Sequence, residues 1–192
     1  MKYKIVKEDI VYQDFFKIKK ATILHDTFKS DEQIEVVREC LDRGSAIAIL
    51  LVEKDTDSIL LTNQFRYPTI THPNYDGWLL EIVAGCMEID EDPIECARRE
   101  VEEEIGYEIK KMEFIGEYFA SPGGSSEKVH GFYAEVNSTD KIFKGGGLDS
   151  EQEDIQLVKF PISEIKSKLD ANAFKDAKTI IALQWLLLNK NY

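Results

Sequence analysis

The stretch Gly85-Cys86-Met87-Glu88-Ile89-Asp90-Glu91-Asp92-Pro93-Ile94-Glu95-Cys96-Ala97-Arg98-Arg99-Glu100-Val101-Glu102-Glu103-Glu104-Ile105-Gly106 decides how this chain is read. Its second half predicts a helix over 93–105. Asp92 suits the N-cap, Pro93 the first helical position and Glu95 the partner of a capping box. Gly106 is a natural stop. Residues three and four apart share a helical face, so Glu100, Glu103 and Glu104 fall together. Ile94, Ala97, Val101 and Ile105 form a neighbouring apolar stripe suited to docking on a sheet.

Three carboxylates on one face repel one another and weaken an isolated helix. Hard divalent cations relieve that repulsion, and magnesium favours carboxylate oxygens together with the oxygens of a phosphate. A solvated acidic face is the simpler reading of an arbitrary Glu-rich helix. The flanking residues weigh against it here. Gly85, Glu91, Arg99, Glu100, Glu103, Glu104 and Gly106 stand at the spacing glycine, five residues, Glu, seven residues, Arg-Glu-hydrophobic-x-Glu-Glu-x-Gly. At ordinary residue frequencies that pattern arises by accident roughly once in 10^8 starts.

The pattern resembles the signature box of the Nudix hydrolases, with Tyr107 standing where an aliphatic residue is usual. The resemblance implies an α/β/α sandwich with a mixed central sheet. It also implies a magnesium site made by Glu100, Glu103, Glu104 and the Ala84 carbonyl, holding two or three ions, with manganese as a substitute. Phosphoanhydride hydrolysis needs such a cluster, because metals neutralise the phosphates and activate a water. Gly85 permits close backbone approach, and Arg99 lies where a bidentate pair with Glu91 would orient the cluster.

Two further segments narrow the resemblance. Ala120-Ser121-Pro122-Gly123-Gly124-Ser125-Ser126-Glu127 places Pro122 sixteen residues after Gly106, and this resembles the ADP-ribose pyrophosphatase branch. By that likeness Pro122 shapes the pocket and Glu127 contacts substrate. Gly145-Gly146-Gly147, followed by Glu151, Glu153, Asp154 and Ile155, looks like the GDP-mannose pyrophosphatases. There a loop Glu binds metal or acts in catalysis. Glu153 is the match, with Glu151 as the alternative because the loop is about two residues longer than the pattern. Arg38, Glu39 and Arg66 resemble base- and phosphate-contacting positions, and Gly85 borders the same pocket. The expected reaction splits a nucleoside diphosphate sugar into a nucleoside monophosphate and a sugar phosphate. Preference for ADP-ribose and a non-catalytic nucleotide-sugar sensor are the alternatives.

Around the box the chain reads as strands and two C-terminal helices. Strands are predicted over 16–24, 34–38, 45–52, 58–65, 78–84, 113–119, 129–136 and 155–160, with helices over 162–169 and 177–188. Residues 1–40 read as an N-terminal β element that the resemblance implies is exchanged in a homodimer. Residues 41–192 read as the hydrolase domain.

The 192 residues are 43% hydrophobic, ordinary for a soluble globular protein. A net charge of −12 argues against nucleic acid as a partner, since phosphate backbones are gripped by Lys and Arg. A small anion is still allowed where cations and local Arg residues reverse the field. The longest apolar run, 46–52, is too short to span a bilayer, so no membrane partner is expected. Cys40, Cys86 and Cys96 form no CxxC pair and suit a reducing cytoplasm.

Overall fold

The computed structural model describes residues 1–192. The layering follows from the two-residue period of β4 (Ser45–Glu53), whose side chains alternate between sheet faces. Ile47, Ile49 and Leu51 enter one apolar cluster, with Cys96, Ala97, Val101 and Ile105 of α1 (Pro93–Ile105). Ala48, Leu50 and Val52 enter the other, with Ala182, Leu183 and Leu186 of α3 (Ala177–Asn189) and Ile165 of α2 (Ile165–Asp170). A strand buried on both faces must be apolar throughout, which explains the unbroken run from Ala46 to Val52. The arrangement is helix, sheet, helix, as the sequence predicts.

β4 forms a hairpin with β5 (Ser58–Phe65) through a tight turn closed by Asp57 at φ +48°. The two strands pair only from Leu51↔Leu60 to Glu53↔Ser58 and then part. Two short strands fill the gap. β6 (Trp78–Glu81) pairs with β5, and β7 (Val83–Cys86) pairs with β4. The single extended segment expected over 78–84 is therefore two strands, broken at Ile82. The Ile82 N–H donates instead to Thr179 Oγ1 of α3, at 2.9 Å. The sheet order is β10 (Gln156–Pro161), β5, β4, β9 (Lys128–Val136), β8 (Glu113–Phe119). The C-terminal helix expected over 162–169 begins as a 3-10 turn at Ile162–Glu164 and becomes α2.

The chain divides into two compact units. The layers above belong to the second, residues 46–118 and 129–192. The first comprises Met1–Ser45 with Phe119–Lys128. Its antiparallel sheet has the order β1 (Tyr3–Gln13), β2 (Lys17–Asp26), β3 (Gln33–Asp42). β1 is exposed along its whole length, including Tyr3, Ile5, Val6, Ile10, Val11 and Tyr12. The Pro122 loop belongs to this unit because its backbone is tied to the end of β3. Leu41 N–H donates to Gly124 O (2.8 Å) and Ser126 N–H to Leu41 O (3.0 Å).

Candidate active site

α1 starts where the sequence places it. Asp92 Oδ1 accepts from the backbone N–H of Ile94 (2.8 Å) and Glu95 (3.4 Å). The capping box is only half made, since the Glu95 carboxylate turns to Arg98 at 3.7 Å. Gly106 ends the helix at φ +75°, against the Phe143 carbonyl, where a side chain would collide. The docked stripe differs by one residue from expectation. Ile94 is 42% exposed, while Cys96 is fully buried.

The larger difference concerns the acidic face. Glu100 and Glu104 are only 9% and 2% exposed, so they lie under the surface rather than on a solvated flank. Sharing a helix face with Ala97 and Val101 draws them toward the sheet. Gly85 makes room for the first: a methyl group there would lie 1.9 Å from the Glu100 Cδ. No protein hydrogen bond reaches Glu104 Oε2. A buried oxygen without a partner costs about 1–3 kcal/mol, and more if it is charged.

Arg99 organises the rest. Its Nε lies 3.0 Å from Glu91 Oε1 and its Nη2 3.3 Å from Glu91 Oε2, a two-pronged pair. Its Nη1 lies 2.9 Å from Glu100 Oε1 and 3.1 Å from Glu103 Oε2. Glu91 also accepts from the Glu88 N–H (2.8 Å), which closes the loop before the helix. The Arg99 guanidinium holds the Glu91 carboxyl down at about 2. Burial pushes the Glu100 carboxyl up to about 7 against the pull of Arg99, with Glu103 and Glu153 adding repulsion. Burial, then Glu100 and Glu153, push Glu104 well above the usual carboxylate range.

The triple-glycine loop brings Glu153 to this cluster. Gly146 N–H donates to Glu104 O (2.9 Å) and Gly147 N–H to Glu103 O (3.0 Å), capping the last carbonyls of α1. Gly145, Gly146 and Gly147 all have positive φ, which glycine alone adopts at little cost. Glu153 Oε2 accepts from the Leu148 N–H at 3.1 Å. Glu151 lies in an exposed 3-10 turn.

No three His, Cys, Asp or Glu side chains already converge as a closed metal cage. Magnesium does not require one, because it keeps waters and takes phosphate oxygens. The unpartnered Glu104 oxygen and the neighbouring Glu100 carboxyl, seated over Gly85, fit a hard divalent cation. A positive ion there would relieve the repulsion that burial leaves uncompensated.

The expected substrate residues divide between the units. Arg66 and Gly85 lie in the second; Arg38, Glu39, Pro122 and Glu127 lie in the first. Arg38 is exposed and donates to the Val37 carbonyl, Glu39 pairs with Lys20 at 3.0 Å, and Glu127 lies 3.7 Å from Arg43. Ala84 is half-buried in β7, opposite Ala48. Arg66 caps the end of β5, with its Nε 2.8 Å from the buried Glu81 carboxylate. Glu81 was not singled out in the sequence. Its signal was a charged residue inside the apolar run Leu79-Leu80-Glu81-Ile82-Val83.

The NUDIX domain family matches residues 42–183. The chain belongs to the NUDIX family. Among relatives of this NUDIX protein, the GDP-mannose pyrophosphatase of Cronobacter sakazakii is 36% identical over 185 residues, covering 96% of this chain and 94% of that one. The GDP-mannose pyrophosphatase of Yersinia enterocolitica is 37% identical over 187 residues, covering 96% and 95%. A crystal structure described as an ADP compounds hydrolase superposes with a TM-score of 0.74 at 20% identity. It covers 98% of this chain and 94% of that one, and the likeness extends to the fold alone.

Proposed function

We propose that this protein hydrolyses the pyrophosphate bond of a nucleoside diphosphate sugar, GDP-mannose foremost, giving a nucleoside monophosphate and a sugar phosphate. The observation that carries the reading is the buried, unpartnered Glu104 oxygen beside Glu100 and within the field of Glu153. The names and near-complete coverage of the curated relatives support the substrate class. A nucleotide-sugar sensor has no need of this set of carboxylates, all of which the box retains.

Glu100, Glu103, Glu104 and the Ala84 carbonyl would hold magnesium, two or three ions, with Glu153 completing the set. The bound cation supplies charge neutralisation at the diphosphate and activation of a water. Leu148 N–H donates to Glu153 Oε2 and fixes the carboxylate, which would bind a cation or orient the attacking water and take its proton. Arg66 spends its Nε on Glu81, and its Nη1 and Nη2 donors remain for a phosphate. Arg38, Glu39 and Glu127 are further substrate contacts, each tested by the KM of its Ala variant.

The working form is a homodimer in the cytoplasm. The exposed apolar residues of β1 support the dimer, since such a strand is normally covered. The three cysteines, none of them in a disulfide, support the reducing compartment. Light scattering on the full chain and on a chain lacking residues 1–13 tests the dimer.

The deciding experiment is a screen of nucleoside diphosphate sugars with magnesium in ¹⁸O-labelled water, the products read by mass. GDP-mannose cleavage to GMP and mannose 1-phosphate is expected, with ADP-ribose as the comparison. Manganese in place of magnesium reports on the ion. Absence of any cleaved nucleotide sugar would refute the function.

A further inference from the structure

We propose that Glu81 is a positioning residue for Arg66, and that it ties the substrate side of the pocket to the first turn of α3. The inference rests on the reading of Arg66 as a phosphate contact and deepens it.

Glu81 is the last residue of β6, opposite Thr62 of β5, and is buried with only 3% of its surface exposed. A carboxylate in that position is stable only when paired. It has two cations. Arg66 Nε lies 2.8 Å from its Oε2, and Lys178 Nζ from α3 lies 3.6 Å from its Oε1. Lys178 in turn lies 2.7 Å from Asp176, the N-cap of α3. Asp176 accepts from the Thr179 hydroxyl at 2.8 Å, and Thr179 Oγ1 accepts from the Ile82 N–H. A ring of alternating charges therefore runs from Arg66 through Glu81, Lys178 and Asp176 and returns to the residue after Glu81.

This ring closes on the break between β6 and β7, three residues before Gly85. One oxygen of Glu81 is given to Lys178, so the carboxylate cannot swing away with the arginine. Arg66 is held at its Nε alone, and the four N–H bonds of its Nη1 and Nη2 have no acceptor in the protein. A guanidinium fixed at one edge presents the other edge with less entropy to lose on binding an anion. The break at Ile82, on which the ring closes, lies two residues before Ala84, whose carbonyl is a proposed cation ligand. Glu81 reaches substrate through Arg66, so its loss weakens binding more than turnover.

The experiment is steady-state kinetics of the full chain on GDP-mannose and on ADP-ribose with magnesium, for wild type, Glu81→Gln, Arg66→Ala and the double variant, with melting temperatures alongside. Glu81→Gln is expected to raise KM about tenfold with kcat within about threefold. In the Arg66→Ala background it is expected to add less than twofold. An unchanged KM in Glu81→Gln, or full additivity of the two substitutions, overturns the role of Glu81 while the proposed function stands. Wild-type protein that cleaves neither compound overturns both. If Glu81→Gln does not fold, Glu81→Asp keeps the charge on a shorter arm. Its KM should rise by a smaller factor, and a wild-type KM there also overturns the role.

Discussion

The Glu100 carboxyl lies directly over Gly85, so close that a methyl group on that glycine would sit 1.9 Å from Glu100 Cδ. Gly85 has no positive φ, so the position demands glycine for space rather than for backbone conformation. Gly85→Ala should force Glu100 aside and lower kcat about 100-fold, equal to about 2.7 kcal/mol of barrier. Kinetics across a magnesium titration check this. A variant with wild-type kcat and magnesium dependence would show that Glu100 need not lie there.

Glu104 carries a buried oxygen that no protein donor reaches. Glu104→Gln keeps the shape and removes the charge. Turnover should fall about 1,000-fold, about 4 kcal/mol, while the metal-free protein melts no lower than wild type. Calorimetry with and without magnesium provides the second readout: the wild type should gain stability from the ion and the variant should gain less.

Glu153 and Glu151 are separated by one residue and differ in surroundings. Glu153 lies in the field of Glu100 and Glu104, whereas Glu151 is exposed in the preceding turn. Glu153→Gln should lower kcat at least 100-fold and Glu151→Gln less than twofold. The reverse order, measured on GDP-mannose, would transfer the role to Glu151.

Glu91 titrates at about 2, held there first by Arg99, against an ordinary value of 4.5. A carboxyl whose folded value is depressed adds stability above its unfolded value and loses that contribution as pH falls through the folded one. Wild-type stability should therefore decline between pH 4.5 and 2. Glu91→Gln should be less stable at pH 7 and should lose less across that window. Urea unfolding at pH 7 and pH 3 measures the difference.

Tyr107 stands where the Nudix pattern usually has an aliphatic residue, and the fold gives a reason. Its hydroxyl donates to Glu53 Oε1 at 2.5 Å, inside the core. Burial alone would raise the Glu53 carboxyl, but Lys159, Thr56 and Tyr107 outweigh it and hold the group below its usual range. Tyr107→Phe should cost about 1–2 kcal/mol in urea unfolding and leave kcat unchanged.

Periodicity and spacing were enough to read α1, its Asp92 cap, its Gly106 stop and most strand positions, because capping and alternation are local rules. The spacing of Gly85, Glu91, Arg99, Glu100, Glu103, Glu104 and Gly106 was legible for the same reason: every member lies within 22 consecutive residues. Residues far apart in the chain could not be joined that way. That β6 and β7 separate at Ile82 depends on Thr179, 97 positions later. That Glu81 faces Arg66 and Lys178 depends on the register of β5 against β6 and on where α3 begins. The burial of Glu100 and Glu104 likewise required the sheet. On the helix alone those side chains are an acidic face, and only packing against β4 and β7 removes them from water and makes a cation worth binding.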